Sequence, residues 1–252
     1  DIHKAMRNIS ILMAMKNEAE PLIRELQLQP MTDFFIPGIP FELFQGKLGI
    51  SNLSLMVSGT DPTARVDNVA TIPATLMTYL AVEHLRPNIV INAGTAGGRA
   101  QKGCKIGEVY LSTGQFYFHD RRIPIPGFDT YGVGAYQSYD TSAMAKELNL
   151  KTGIISTGNS LDLLDRDLEM IERHKATIKD MEATAIAWVC TMLSVPMFAI
   201  KAITDLIDIP TAAETQFLDN LRLASHNLKE KTIDVLHYLE RMDKAPQFPP
   251  PS

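Results

Sequence analysis

Cysteine is nearly absent: of 252 residues only Cys104 and Cys190 are cysteines, one in a Gly-flanked loop and the other in an apolar stretch. That argues against a disulfide framework and suits a reducing compartment, so a cytoplasmic location is expected. Excess positive charge is lacking too. The formal net charge is -5, with acidic and basic residues interspersed, which leaves no basic stripe for nucleic acid and no polybasic patch for a membrane. No apolar run reaches membrane-spanning length, and residues 1–6 carry nothing that reads as a secretory signal. No spacing of His and Cys suits a metal, and the G-x-G-x-x-G fingerprint of dinucleotide sites is missing; neither metal nor cofactor is expected. What remains is ordinary globular material, 45% hydrophobic and 21% charged, long enough for one sizeable core.

Strand and helix signals alternate along the chain. Residues 8–15 read as a buried strand followed by a helix over 17–26, and residues 41–49 and 52–59 as a hairpin around a Gly-containing turn. A helix is expected over 68–84, then a buried strand from 88 running into the small-residue turn Ala93-Gly94-Thr95-Ala96-Gly97-Gly98. Further strands are expected at 108–113 and 151–158, an amphipathic helix at 166–175, and a last long helix over 213–241. This pattern predicts an α/β fold: a single domain over residues 1–245, with a mixed central β-sheet flanked by helices. The Pro-rich tail 246–252 cannot continue the helix and is expected to be disordered or polyproline-like.

Two carboxylates frame one helix-then-strand unit. Glu182, in Asp180-Met181-Glu182-Ala183-Thr184-Ala185, falls in the first turn of a helix running through the apolar residues 186–193. Asp205, in Lys201-Ala202-Ile203-Thr204-Asp205, falls just past the β-prone run 195–200, where open α/β sheets hold their ligands. Each residue also has a plain reading. Glu182 and Glu18 could simply complement helix N-termini, an effect of about 0.3–1 kcal/mol each, and Asp205 could cap a short helix before Pro210. The glycines of residues 94–98 could serve a tight turn alone, and His119-Asp120-Arg121-Arg122 could be a polar loop. Cys190 and the twelve methionines read as core.

Taken together the same positions carry more. Met15-Lys16-Asn17-Glu18, Asn92-Ala93-Gly94-Thr95-Ala96-Gly97-Gly98, Ser156-Thr157-Gly158-Asn159, Met181-Glu182-Ala183-Thr184-Ala185 and Ala202-Ile203-Thr204-Asp205 occur in one order along nearly the whole chain. In that order and spacing the chain resembles the 5'-methylthioadenosine/S-adenosylhomocysteine nucleosidases of the nucleoside phosphorylase superfamily. Residues 118–134, which hold His119-Asp120-Arg121-Arg122 and Asp129-Thr130-Tyr131-Gly132, resemble the plant branch of that family most.

The resemblance implies hydrolysis of the bond between adenine and C1' of a 5'-alkylthio-ribose. Asp205 would protonate the departing adenine at N7, Glu182 would hold the ribose hydroxyls, and Glu18 would orient and deprotonate the attacking water. It further implies Met15 and Met181 against the ribose, and Thr95, Ala96 and Gly97 against the purine. Thr204 would lie near the base or support Asp205, Asn159 would lie in the adenine loop, and backbone groups at Asp162 would read the purine edge. Departures from the bacterial pattern are Leu161 in place of an adenine-stacking aromatic, Asp162 in place of an aliphatic, Thr60 in the 5' pocket in place of Ile, and Lys201 in place of Arg. The family's members are homodimers in which a neighbour's loop closes the alkylthio pocket; here that segment is 123–131, with Ile123 and Phe128 facing the thioether. How far the pocket opens past Phe128 decides whether the bulkier S-adenosylhomocysteine is accepted. Two alternatives stand beside this reading. One is a phosphate-dependent nucleoside phosphorylase, which would need an anion site where Met15-Lys16-Asn17-Glu18 stands. The other is a catalytically silent nucleoside-binding protein, in which loss of at least one acid is expected.

Overall fold

A computed structural model of the chain describes residues 7–248. The chain opens with β1 (Asn8–Met13), α1 (Lys16–Glu25), β2 (Gln29–Met31), β3 (Glu42–Leu48), β4 (Ser51–Val57), α2 (Thr71–Leu85) and β5 (Ile89–Gly98). It continues through β6 (Val109–Ser112), β7 (Gln115–Phe118), α3 (Phe128–Val133), β8 (Gly134–Gln137), α4 (Ser142–Leu148), β9 (Lys151–Gly153) and β10 (Ile155–Thr157). It ends with α5 (Asp165–Arg173), β11 (Ile178–Asp180), α6 (Ala183–Met192), β12 (Met197–Leu206) and α7 (Ala213–Arg241). All strands belong to one mixed sheet whose centre is β5. β1 and β12 flank β5 as parallel neighbours, and β11 joins it antiparallel at its far end. The protein is thus a single α/β domain with helices on both faces of the sheet.

The central strands are apolar throughout because both of their faces are covered. Along β1, Ile9, Ile11 and Met13 enter one core with Leu228, Val235, Leu236 and Leu239 of α7, whereas Leu12 turns to the other core with Met77 and Ala81 of α2 and Ile186 and Cys190 of α6. β12 divides in the same way: Phe198, Ile200 and Ala202 face α7, and Met197, Ala199 and Ile203 face α6. This is the two-residue alternation of a pleated strand. Arg7 is buried and donates to the carbonyls of Leu239 and Met242, closing the C-terminal end of α7.

Several boundaries differ from those the sequence predicts. Residues 93–98 are not a turn but the second half of β5, which carries the strand on past the end of its pairing with β1. Residues 151–158 split into two strands: β9 pairs with β6, and β10 pairs with β11 and β7. α2 begins at Thr71 rather than 68, because the Asn68 side chain donates to the carbonyls of Ser58 and Gly59 and holds the preceding loop. Of the Pro-rich tail 246–252, expected to be disordered or polyproline-like, residues 246–248 carry neither helix nor strand, and 249–252 lie outside the described residues.

Candidate active site

One edge of β5 parts between its neighbours. Pairing with β1 ends at Asn92, opposite Leu12, and pairing with β11 begins only at Gly97, opposite Lys179. The backbone between them needs other partners, since unpaired buried amides are costly. A cleft of about 270 Å³ opens at this split. Its walls bring together ten residues expected from the sequence: Met15, Glu18, Thr95, Ala96, Gly97, Leu161, Met181, Glu182, Thr204 and Asp205.

Glu18 sits in the first turn of α1 and supplies the missing partner. Its Oε1 accepts the Thr95 amide at 3.1 Å and also the Thr95 hydroxyl. Gly94 makes room for this approach, since a Cβ there would stand 3.3 Å from Glu18 Oε2 and 3.5 Å from Lys201 Nζ. Burial pushes the Glu18 carboxyl above its usual range, and the Thr95 bonds and the Lys201 charge offset this only in part.

Lys201 on β12 and Asp180 on β11 form a buried ion pair, Nζ to Oδ2 at 3.0 Å, with each side chain 1% exposed. Asp180 is fully engaged: Oδ1 accepts the Thr157 hydroxyl at 2.5 Å, and Oδ2 accepts the Ala183 amide at 2.8 Å, the first turn of α6. Burial pushes Asp180 up, but Lys201, Thr157 and the Ala183 amide outweigh it and hold the carboxyl below the usual range. Burial likewise pulls Lys201 down, and the carboxylates of Asp180 and Glu182 more than restore its charge. Lys201→Met is therefore expected to destabilise the protein by about 3–5 kcal/mol, because it leaves a buried carboxylate unpaired. Denaturant unfolding of the variant checks this; an unchanged midpoint would mean the pair contributes nothing.

Glu182 immediately precedes α6, not within its first turn as the sequence suggests, because Asp180 takes the Ala183 amide and starts the helix there. Its Oε2 accepts the Ala70 amide at 3.0 Å. Burial pushes its carboxyl up to about 7, with Lys201 pulling down and Asp180 pushing up.

Asp205 lies inside β12, one residue before its end, rather than just past it. The cause is a bulge: Ile203 pairs with Ala96 and Asp205 with Gly97, so Thr204 is the extra residue. In a regular strand Thr204 and Asp205 would face opposite ways, and the bulge turns both toward the cleft. The Thr204 hydroxyl donates to Asp205 Oδ1 at 2.8 Å. Gly97 is required here, since a Cβ would stand 2.8 Å from Asp205 Oδ2 and 2.6 Å from Ile207. Asp205 is 3% exposed. Burial raises its carboxyl above the usual range, with Thr204 and Lys179 pulling the other way.

The other expected residues lie outside the cleft's lining. Asn159 ties loops together: Asp120 Oδ2 accepts its amide at 2.6 Å, and its Oδ1 accepts the Thr71 amide and hydroxyl at 3.2 and 2.6 Å. Thr60 is exposed and bridges to Asp67. Asp162 is exposed beside Leu161, and Ile123 and Phe128 belong to the outer segment around α3, where Phe128 is 54% exposed. Five lining residues were not singled out by sequence: Ala14, Val69, Lys179, Asp180 and Phe217. Lys179 and Asp180 carry a legible signal, two adjacent charges in an otherwise β-prone run; Val69 and Phe217 carry none. Among the described residues no cluster of His, Cys, Asp and Glu could hold a metal ion.

Four carboxyls line the cleft; Asp180 is paired with Lys201, and Glu18, Glu182 and Asp205 stand in three different environments, which suits acid–base chemistry on a small polar molecule. The sequence model of the phosphorylase superfamily matches residues 8–237. A 5'-methylthioadenosine nucleosidase of Arabidopsis thaliana is 39% identical over 95% of this chain and 90% of its own length. A 5'-methylthioadenosine/S-adenosylhomocysteine nucleosidase of the same plant is 38% identical over 94% of this chain and 93% of its own length. The structure of the Arabidopsis thaliana 5'-methylthioadenosine nucleosidase in apo form superposes with a TM-score of 0.92, covering 94% of this chain and 97% of that one. The chain belongs to the phosphorylase superfamily, in its group of 5'-methylthioadenosine/S-adenosylhomocysteine nucleosidases.

Proposed function

We propose that this chain hydrolyses the N-glycosidic bond of 5'-methylthioadenosine, releasing adenine and 5-methylthioribose. The observation that carries the reading is the separation of the three carboxyls: Asp205 beside Thr204 on one wall, Glu18 bound to Thr95, and Glu182 bound to the Ala70 amide. Adenine is a poor leaving group as an anion, so a carboxylic acid must donate a proton as the bond breaks. Asp205, raised by burial, is that donor at N7. The sugar becomes cation-like as adenine leaves, and Glu182, whose carboxyl burial pushes up to about 7, stabilises that charge in its ionised form by accepting the hydroxyls. Glu18, held against β5, takes a proton from the water that attacks C1'. Met15 and Met181 would pack on the ribose, and Thr95, Ala96, Gly97 and Leu161 on the purine.

Phosphorolysis is the weaker reading, since the Glu18 carboxylate occupies the place where phosphate would have to bind and would repel it. The active form is a homodimer in this proposal. Exposed Phe128, Ile125 and Tyr131, with Ile72, Leu76 and Tyr79 of α2, give an apolar surface for a second copy whose loop closes the alkylthio pocket. The two free buried cysteines suit the cytoplasm. Purified protein given 5'-methylthioadenosine in phosphate-free buffer is expected to release adenine at a rate that added phosphate leaves unchanged. Strict dependence on phosphate would convert the reading to a phosphorylase, and absence of turnover would leave a nucleoside-binding protein.

A further inference from the structure

Lys179 is buried, 3% exposed, yet it carries an ammonium into the cleft wall. Its Nζ donates to the carbonyl of Ser160 at 2.6 Å and to that of Leu161. Those two residues precede Asp162 in the loop that walls one side of the cleft, and Leu161 itself lines it. On the other edge of β5 stands Asp205. Lys179 pairs with Gly97 from the β11 side and Asp205 pairs with Gly97 from the β12 side, so the two are in register across a single residue. In-register residues of adjacent strands project from the same face. The residue between them has no side chain, and the Asp205 carboxyl already leans over it, close enough that a Cβ on Gly97 would collide with Oδ2.

The surrounding charges give Lys179 a distinct place. From α1 comes Glu18, from the segment before α6 comes Glu182, and from β11 and β12 come Asp180 and Lys201, which are paired with each other. Asp162 and Asp167 also act on Lys179, less strongly than Asp205 and Asp180, and Lys179 acts on His119. Among the described residues Lys179 makes no ion pair, and its hydrogen bonds go to neutral carbonyls. Burial disfavours its charge, and of the carboxylates that favour it Asp205 acts most strongly, ahead of Asp180, Asp162 and Asp167.

We propose that Lys179 is a positioning residue with two effects: across Gly97 it sets how readily Asp205 ionises, and through Ser160 and Leu161 it fixes the loop against which the purine lies. The inference rests on the proposed role of Asp205 as the acid. An acid must be protonated to act, so activity falls as pH rises through its folded pKa. A neighbouring cation favours the ionised form and holds that pKa down; removing the cation lets it rise, and the alkaline limb of the pH–rate profile moves to higher pH.

The test is the pH dependence of kcat/KM for adenine release by wild type, Lys179→Met, Lys179→Gln and Lys179→Arg, each verified as folded by thermal melting. Lys179→Met is expected to move the alkaline limb up by about one pH unit, the lower end of what a close charge does, and to raise KM about tenfold as the loop loosens. Amide hydrogen exchange in residues 158–164 should quicken in the same variant. Lys179→Gln keeps a donor for the carbonyls without the charge, and should move the limb with a smaller rise in KM. Lys179→Arg keeps the charge and should leave the limb in place. An unmoved limb in both neutral variants overturns the inference, since a merely structural lysine would change KM and melting temperature alone. A limb that disappears in Lys179→Arg overturns it too, because the limb would then be the lysine's own titration. Wild type that releases no adenine defeats the proposed function instead, which keeps the two failures apart.

Discussion

Asp205→Asn is expected to lower kcat for adenine release about a thousandfold, or ~4 kcal/mol of barrier, while leaving the fold and the affinity for nucleoside nearly intact. Asparagine has the size of aspartate, and its carbonyl can still accept the Thr204 hydroxyl that now bonds Oδ1. What it cannot do is give up a proton to a leaving purine. Three features would serve the proposed proton donation: the bulge at Thr204 aims the carboxyl into the cleft, Gly97 vacates the space beside it, and burial discourages its ionisation. Thermal melting and equilibrium binding of 5'-methylthioadenosine distinguish a chemical loss from a structural one. A variant within tenfold of wild type would remove Asp205 from the mechanism.

Glu18→Gln is expected to have an effect of similar size by another route. The Gln carbonyl can accept both Thr95 donors, so the free edge of β5 stays satisfied and the variant should fold. Adenine departure should remain possible in this variant, but the water that must follow has lost its base, so turnover stalls about a thousandfold below wild type. Binding should survive, because Glu182 and the walls that touch the nucleoside are unchanged. The split between kcat and binding is the decisive reading: a Glu18→Gln protein that no longer binds nucleoside would assign Glu18 to substrate holding rather than to water.

Much of the architecture is legible in the sequence because it is local. Continuous apolar runs such as residues 197–200 mark strands covered on both faces, and the core alternates along them as a pleat requires. The acids Glu18, Glu182 and Asp205 stand out through short ordered motifs, and the cleft brings all three together. What sequence could not reveal depends on pairing between distant segments. The split edge of β5 arises from where β1 ends and β11 begins, and nothing within 89–98 announces it; the glycines there read as a turn. The bulge at Thr204 is a register shift against β5 and leaves no mark in its own segment. The Lys201–Asp180 pair joins positions on separate strands. Asn159 belongs to a recognisable motif, yet its side chain knits loops to one another instead of lining the cleft, and Thr60 meets Asp67 through the backbone alone.

The account stands on a carboxylic acid that keeps its proton at neutral pH in order to hand it to adenine. Infrared difference spectroscopy between wild type and Asp205→Asn, each with bound nucleoside analogue, measures this directly. The expected spectrum shows the carbonyl stretch of a protonated carboxyl in wild type that the variant lacks. A difference spectrum holding only the bands of an ionised carboxylate would contradict it.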